Sequence, residues 1–330
     1  HFMFGAPRIY ETIRSEIWLK IDQSYWLNKL FYNYFITQGE KAATYRMTGK
    51  PMPLGLKIKS WLGTQLIFRP LINQIGLLRL RRAYTGGAAL GPELFTFYQA
   101  IGINLKQIYG QTEITGIAYM HRDGDVRPET VGKPLPGTEC KIADDGEILV
   151  KSPGVFKGYF KNPEATAETI VDGWLHSGDI GVIDEDGYLS ITDRKKDIIV
   201  TAGGKNITPQ YIENRLKSSL YINDAVVIGD KRKFLSCLVI IDEDNVVKFA
   251  QDNKIQFSTY KDLTAHEQIK ALIDSEIKTV NDTLSQVEKI KKFTILPKKL
   301  YEEDGEVTPT MKVKRSFINK AFGDLIEAMY

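Results

Sequence analysis

The chain has 330 residues, 43% hydrophobic and 26% charged, with a formal net charge of +3. That length suits two domains of ordinary size, and the composition is that of a globular protein. The nearly balanced charge argues against a polyanion such as nucleic acid as the partner. Cys140 and Cys237 stand far apart without metal-ligand spacing and read as small core hydrophobes of a reducing compartment. His1, His121, His176 and His266 form no metal cluster in the sequence. No apolar run approaches the roughly 18 residues of a membrane span, and the start has no signal-peptide pattern.

Residues 8–35 predict a pair of helices rich in aromatics, among them Tyr10, Trp18, Tyr25, Trp26, Phe31, Tyr32, Tyr34 and Phe35. Such a stretch suits a core helix, the wall of an acyl pocket, or a face that touches a membrane. Leu80 to Tyr84 reads as a strand running into Thr85-Gly86-Gly87-Ala88-Ala89. A helix from Pro92 to Gly102 follows, with proline in its first turn and glycine just past its end. A second strand, Leu105 to Ile108, leads into Tyr109-Gly110-Gln111-Thr112-Glu113, giving the strand, helix, strand order of an α/β layer.

From 130 to 193 the signals are short strands. Glu139–Ile142 and Glu147–Val150 flank Ala143-Asp144-Asp145-Gly146, and Ile180–Ile183 and Tyr188–Thr192 flank Asp184-Glu185-Asp186-Gly187. Asp-Gly between apolar alternations predicts hairpins, hence a β-rich subdomain over 129–193. The charged string Asp193 to Asp197 then marks a domain junction, placed between a first domain of residues 1–193 and a second of 194–330. Beyond it an α+β unit is predicted: a strand Ile198–Thr201, a helix from Pro209 to Leu220, and strands Ala225–Ile228 and Ser236–Ile241. A long amphipathic helix follows, through Ile269, Leu272, Ile273, Ile277, Val280, Leu284 and Val287.

Five segments carry ligand chemistry. Gly86-Gly87 at a strand end lets a ligand approach the backbone, although such pairs also serve as turns. In Tyr109 to Glu113 an aromatic ring can stack on a base, a hydroxyl can meet phosphate oxygens and a carboxylate can hold Mg²⁺ against them; a plain polar loop is the alternative. In Asp172-Gly173-Trp174-Leu175-His176-Ser177-Gly178-Asp179, an Asp after Gly at a loop end can accept two bonds from ribose hydroxyls, or serve as a turn residue. The fourth is Asp193-Arg194-Lys195-Lys196-Asp197 with Thr201 to Pro209 after it. The fifth, Thr308-Pro309-Thr310-Met311-Lys312-Val313-Lys314-Arg315, can bring a lysine to a phosphate, or be a basic tail.

In this order the segments resemble the signature blocks of the acyl-adenylate-forming superfamily, and of its long-chain fatty acyl-CoA synthetases in particular. The resemblance is carried by Pro7-Arg8-Ile9-Tyr10-Glu11, the stretch Gly146 to Asp179, and Ile191 to Glu213 (ITDRKKDIIVTAGGKNITPQYIE). It implies the end of a large α/β nucleotide-binding domain with a β-rich subdomain, followed by a small α+β lid. It also implies activation of a fatty acid by ATP, with Mg²⁺, to acyl-AMP and then acyl-CoA. Gly86, Gly87 and Ala88 would line the adenine and acyl pocket. Within Tyr109-Gly110-Gln111, Tyr109 would stack on adenine; Thr112 would contact phosphate and Glu113 would bind Mg²⁺. Asp179 would hold the ribose, with Arg194 assisting. Lys196 would be the hinge, where many relatives have Asp, and Gly203 and Gly204 would flank the channel for CoA. Lys312 would be the catalytic lysine of adenylation. Met311 precedes it where many relatives have Gly, and Lys314 is two residues away; Lys312 places Arg315 at the family's three-residue spacing.

The family's Ser/Thr/Gly-rich phosphate loop ending in lysine is not found before residue 80, and the chain starts at His1 rather than Met. The expectation is therefore a partial chain that does not complete the reaction alone, in the cytoplasm or peripherally at a membrane. Two other readings remain at this level: a ligase that passes the acyl group to a carrier protein, and a nucleotide-binding remnant without catalysis.

Overall fold

The computed structural model describes residues 1–308 and 313–330, and the chain divides into two units, His1–Thr192 and Asp193–Tyr330. Lys312 lies outside the described residues.

The first unit opens with β1 (Phe2–Gly5), α1 (Pro7–Asp22), α2 (Trp26–Thr48) and α3 (Leu54–Gly63); a π-helical turn, Thr64–Phe68, leads to α4 (Arg69–Gln74). The predicted helix pair is present, but its aromatics divide by helical face. Tyr10, Tyr32 and Phe35 are buried, whereas Tyr25, Trp26, Phe31 and Tyr34 are exposed. The buried set ties three elements together. The Tyr10 ring meets Tyr98 edge to face, Tyr98 donates its hydroxyl proton to the Tyr10 carbonyl at 2.6 Å, and the Tyr10 hydroxyl donates to the Tyr84 carbonyl at 3.1 Å.

Tyr84 lies on β2 (Arg82–Thr85) and Tyr98 on α5 (Pro92–Ile101), which leads to β3 (Leu105–Tyr109). Proline opens α5 and Gly102, at φ 95°, closes it, as the sequence predicts. Strands β1, β2 and β3 run parallel. The short β4 (Tyr119–Met120) and β5 (Lys133–Pro134) extend the sheet antiparallel, in the order β1-β2-β3-β4-β5.

The β-rich part holds β6 (Glu139–Ile142), β7 (Glu147–Lys151), α6 (Pro163–Thr169), β8 (Ile170–Val171), β9 (Trp174–Ile183) and β10 (Leu189–Arg194). Its sheet runs β10-β9-β7-β6, with β8 beside β9. Both Asp-Gly hairpins form where predicted. Helix α6 has too few residues to show a period; its signal is Asn162 before Pro163, whose side chain caps the Ala165 amide at 3.1 Å.

The second unit contains β11 (Ile199–Val200), β12 (Asn206–Ile207), α7 (Pro209–Leu216), β13 (Ile222–Ile228), β14 (Leu235–Ile241), α8 (Glu243–Asp252), α9 (Tyr260–Ala265), α10 (Glu267–Asn281), β15 (Ile290–Ile295), α11 (Arg315–Ala321) and α12 (Gly323–Glu327). Its main sheet is β13-β14-β15, antiparallel then parallel. Period-two alternation buries both faces. Cys237, Val239 and Ile241 join the core built with α7, α8 and α10, while Leu238 and Ile240 join the one built with α11 and α12.

Two predicted helices end early, each for a local reason. After Leu216 the Ser218 hydroxyl donates to the Arg215 carbonyl at 2.7 Å, so α7 stops short of Leu220. The Asn281 side chain pairs with both backbone groups of Ile290 at 2.9 Å, turning the chain toward β15, so Leu284 and the exposed Val287 lie beyond α10.

A largely buried ion pair joins α7 to the start of α11. Arg315 donates to Glu213 at 2.6 Å and to the Val227 carbonyl at 2.7 Å, and the same Glu213 oxygen accepts the Val227 amide at 2.8 Å. Removing one member leaves a buried charge unpaired. Glu213→Ala is expected to cost the second unit about 3 kcal/mol or more, read as a lower urea midpoint.

In the first unit buried His121 accepts the Gln107 amide on Nδ1 at 3.0 Å and therefore donates from Nε2 to the Arg127 carbonyl at 3.0 Å. Burial lowers its pKa from 6.5 to about 4. Between those values the unfolded chain binds a proton that the folded chain refuses, so this contribution is present above pH 6.5 and lost as pH falls toward 4. Urea titrations at pH 7 and pH 4 should show a loss approaching roughly 3 kcal/mol from this group, absent in His121→Gln.

Candidate functional site

Parallel strands β2 and β3 pair Thr85 with Gln107, so the loops that follow them leave the sheet side by side. The first holds Gly86-Gly87-Ala88 and the second Gly110-Gln111-Thr112-Glu113. The carboxyl ends of parallel strands are where open α/β sheets bind ligands. Gly86 packs directly on β3: a Cβ there would lie 2.7 Å from Cγ1 of Ile108. Gln107 Nε2 donates to the Ala88 carbonyl at 3.5 Å. Gly110 is held still more tightly, since a Cβ there would stand 1.9 Å from the Gly116 carbonyl oxygen. Only glycine lets the chain fold back at that point.

Asp179 comes from the other sheet of the same unit. The sequence places it at a loop end; the structure places it inside β9, on a bulge. Pairing runs from Leu149–His176 to Glu147–Ile180, so β9 spends more residues than β7 over this interval, and Ser177-Gly178-Asp179 take up the excess. Gly178, at φ 69°, supplies the left-handed turn. The preceding Asp172-Gly173, both at positive φ, is simply the turn between β8 and β9.

Tyr109 and Asp179, far apart in sequence, meet. The Tyr109 hydroxyl donates to Asp179 Oδ2 at 2.9 Å, and Gln111 Nε2 donates to the same oxygen at 2.7 Å and to the Ser177 carbonyl at 2.8 Å. Burial first, and the Asp179 carboxylate second, push the Tyr109 hydroxyl far above its ordinary range, so it remains a donor at every working pH. Asp179 is 5% exposed and its amide donates to Ser177 Oγ at 3.1 Å.

Glu113 sits on the turn Thr112–Ile114 just beyond. Its Oε1 accepts the Tyr159 hydroxyl at 2.8 Å and its backbone carbonyl accepts the Phe156 amide at 2.8 Å. Thr112 is exposed. Tyr109, Gly110, Gln111, Thr112, Glu113 and Asp179 therefore form one neighbourhood, flanked by Gly86 to Ala88.

Sequence reading missed Tyr159, which lies in the quoted Gly146–Asp179 stretch without any chemical signal of its own. It also missed Glu147, which reads there only as the first residue of a hairpin strand. Glu147 Oε1 accepts the Gly178 amide at 2.8 Å, and its Oε2 lies 3.2 Å from Nδ1 of His176.

The remaining residues singled out in the sequence belong to the second unit. The Arg194 amide donates to Asp193 Oδ1 at 2.7 Å; Asp193 Oδ2 accepts the Gln210 amide at the start of α7 at 3.0 Å, and burial raises this carboxyl to about 6. Lys196 is exposed on the turn Lys195–Asp197. Gly203 and Gly204 are exposed in the loop from β11 to β12, closed by Gly204 N–H to the Thr201 carbonyl at 2.9 Å.

Comparison with known proteins gives the family of the chain. Residues 1–160 match the family described as AMP-binding enzyme, and residues 196–330 match the AMP-binding enzyme C-terminal domain. A long-chain fatty acid–CoA ligase of Mycobacterium bovis is 42% identical over 83% of this chain and 46% of its own length. A putative fatty acid–CoA ligase of Mycobacterium tuberculosis is 36% identical over 99% of this chain and 58% of its own. Among solved structures, the adenylation domain of a carboxylate reductase from Mycobacterium chelonae superposes on all of this chain and 46% of that one, with a TM-score of 0.71 at 18% identity, a likeness of fold. The chain belongs to the acyl-adenylate-forming, AMP-binding superfamily and is related to its fatty acyl-CoA synthetases. It spans about half the length of the curated relatives it matches.

The close approach at Gly110 is testable without a ligand. Gly110→Ala must displace the Gly116 carbonyl and is expected to cost at least about 2 kcal/mol, seen as a lower thermal midpoint; Gly76→Ala, at a glycine with nothing near its Cβ position, lowers it less.

Proposed function

We propose that the protein to which this chain belongs activates a long-chain fatty acid with ATP, forming acyl-AMP and pyrophosphate, and then transfers the acyl group to coenzyme A, releasing AMP. The observation that carries this reading is the convergence of Tyr109 and Gln111 on the buried carboxylate of Asp179, beside a turn that presents Thr112 and Glu113. The names of the relatives, fatty acid–CoA ligases, supply the substrate class.

A carboxylate is a poor electrophile. Attack of its oxygen on the α-phosphorus of ATP expels pyrophosphate and leaves a mixed anhydride; the thiol of coenzyme A then attacks the acyl carbon and expels AMP. In this reading Asp179 accepts the ribose hydroxyls, and the donors on its Oδ2 fix its orientation. Tyr109 offers its ring to adenine, with Gly86, Gly87 and Ala88 as backbone walls, and Thr112 meets a phosphate oxygen. Orienting the two reactants can itself contribute an effective molarity of order 10⁵ M or more.

Among the described residues no group of three or more His, Cys, Asp and Glu side chains suits a metal. A single carboxylate such as Glu113 nevertheless fits Mg²⁺, which is commonly held by one or two carboxylates together with substrate phosphates and water. When bound it would neutralise charge developing on the phosphates. Lys312 is proposed as the lysine that stabilises that charge, Arg194 as assisting at the ribose, Lys196 as the hinge, and Gly203 and Gly204 as flanking the path of coenzyme A. No helix among the described residues is long and apolar enough to cross a membrane.

The reading is tested in the complete protein by separating the half-reactions. Lys312→Ala should lower fatty-acid-dependent ATP–pyrophosphate exchange by about 10² or more, with transfer from preformed acyl-AMP to coenzyme A changed only a few fold. Asp179→Ala should weaken AMP binding. Wild-type protein that neither binds AMP nor exchanges pyrophosphate with any fatty acid would refute the proposal.

A further inference from the structure

We propose that Glu147 is a positioning residue for the nucleotide sugar: it sets the ribose-facing geometry of Asp179 through the β9 bulge, without touching the nucleotide itself. The inference rests on the reading of Asp179 given above.

A bulge in a sheet has a structural cost. Its extra residues lose the regular ladder partners of their amides, and a buried amide without an acceptor is expensive. In β9 the excess falls on Ser177-Gly178-Asp179. Glu147, from facing β7, resolves it with a side chain in place of a backbone carbonyl: its Oε1 accepts the Gly178 amide at 2.8 Å. This carboxylate is 6% exposed, so it needs partners of its own. His176, at the near edge of the same bulge, faces Oε2 with Nδ1 at 3.2 Å. A carboxylate only accepts, so Nδ1 carries the proton. Glu147 thus grips the bulge on both sides of Ser177.

The far side of the bulge is held independently. Ser177 Oγ accepts the Asp179 amide at 3.1 Å, and Gln111 holds the Ser177 carbonyl at 2.8 Å together with Asp179 Oδ2 at 2.7 Å. The direction of the Asp179 carboxylate is therefore fixed by its own donors, Tyr109 and Gln111, and by the backbone torsions of Gly178, which Glu147 holds. Gly178 is at φ 69° with nothing near its Cβ position. Without Glu147, the packing around this residue offers little to stop the peptide from turning. The chemistry at stake is recognition of two ribose hydroxyls, the part of the nucleotide that Asp179 would read.

The experiment measures dissociation constants of the 330-residue chain for AMP and for 2′,3′-dideoxyadenosine monophosphate, which lacks the hydroxyls. Wild type should prefer AMP by about tenfold or more, as for hydrogen bonds to a charged group. In Glu147→Ala that preference should collapse toward the value for Asp179→Ala, while affinity for the dideoxy nucleotide stays within about twofold. Glu147→Gln keeps a neutral acceptor for the Gly178 amide and should lose only part of the preference, by about threefold, with the thermal midpoint little changed; if the alanine variant does not fold, this arm decides. An unchanged AMP preference in the glutamine variant, or equal weakening of both nucleotides in either, overturns the proposal, the second result meaning a purely structural role. A wild-type chain that binds AMP but does not distinguish the two nucleotides overturns the ribose role of Asp179 itself, a failure separable from that of Glu147 because it needs no variant.

Discussion

The site depends on burying one carboxylate between two sheets. Asp179 is almost fully enclosed, and a charge there is tolerable only with several donors aimed at it. The donors reach it from the other sheet, while its backbone is held from within its own. The Tyr109 hydroxyl and the Gln111 amide reach it from the end of β3 and the loop after it, and the Ser177 hydroxyl holds its backbone from within β9. Because the carboxylate and its donors belong to different sheets, satisfying the carboxylate also fixes the relation between the α/β layer and the β-rich part of the first unit. The same bonds that stabilise the fold orient the group proposed to read the sugar.

The devices that make this possible are backbone devices. Gly110 lets the loop after β3 double back against Gly116, and Gly178 lets β9 take up extra residues. Glu147 accepts the amide that the bulge displaces from the ladder. In the second unit the same logic appears at a domain edge. Asp193 receives the amides of Arg194 and Gln210, and Glu213 receives Val227 and Arg315. Acidic side chains stand in for backbone acceptors where the chain turns, so the segments singled out for chemistry are anchored by carboxylates that the chemistry does not name.

The aromatic helices show why residue type alone leaves a question open. Tyr10 of α1 packs edge to face on Tyr98 in the core, yet Trp26 and Phe31 of α2 point outward. An aromatic run carries the same signal for a core, a pocket wall or an exposed face; burial sorts them only after α5 and β2 have packed against one side.

Sequence alone determined those elements whose cues are local. The Asp-Gly turns, Pro92 opening α5 with Gly102 closing it, the apolar alternation of β14 and the positions of the signature blocks all act over a few residues. Through the family resemblance that those blocks carry, it also named Tyr109, Glu113 and Asp179 as one group. Only the tertiary structure decided that Asp179 stands on a bulge rather than at a loop end, that Glu147 and Tyr159 join it, and that α7 and α10 stop where Ser218 and Asn281 bond to the backbone. The physical reason is common to these cases. Each depends on where a backbone amide or carbonyl finds its partner, and that partner is set by cross-strand register or by a side chain's reach, neither of which has a period that can be read along the chain.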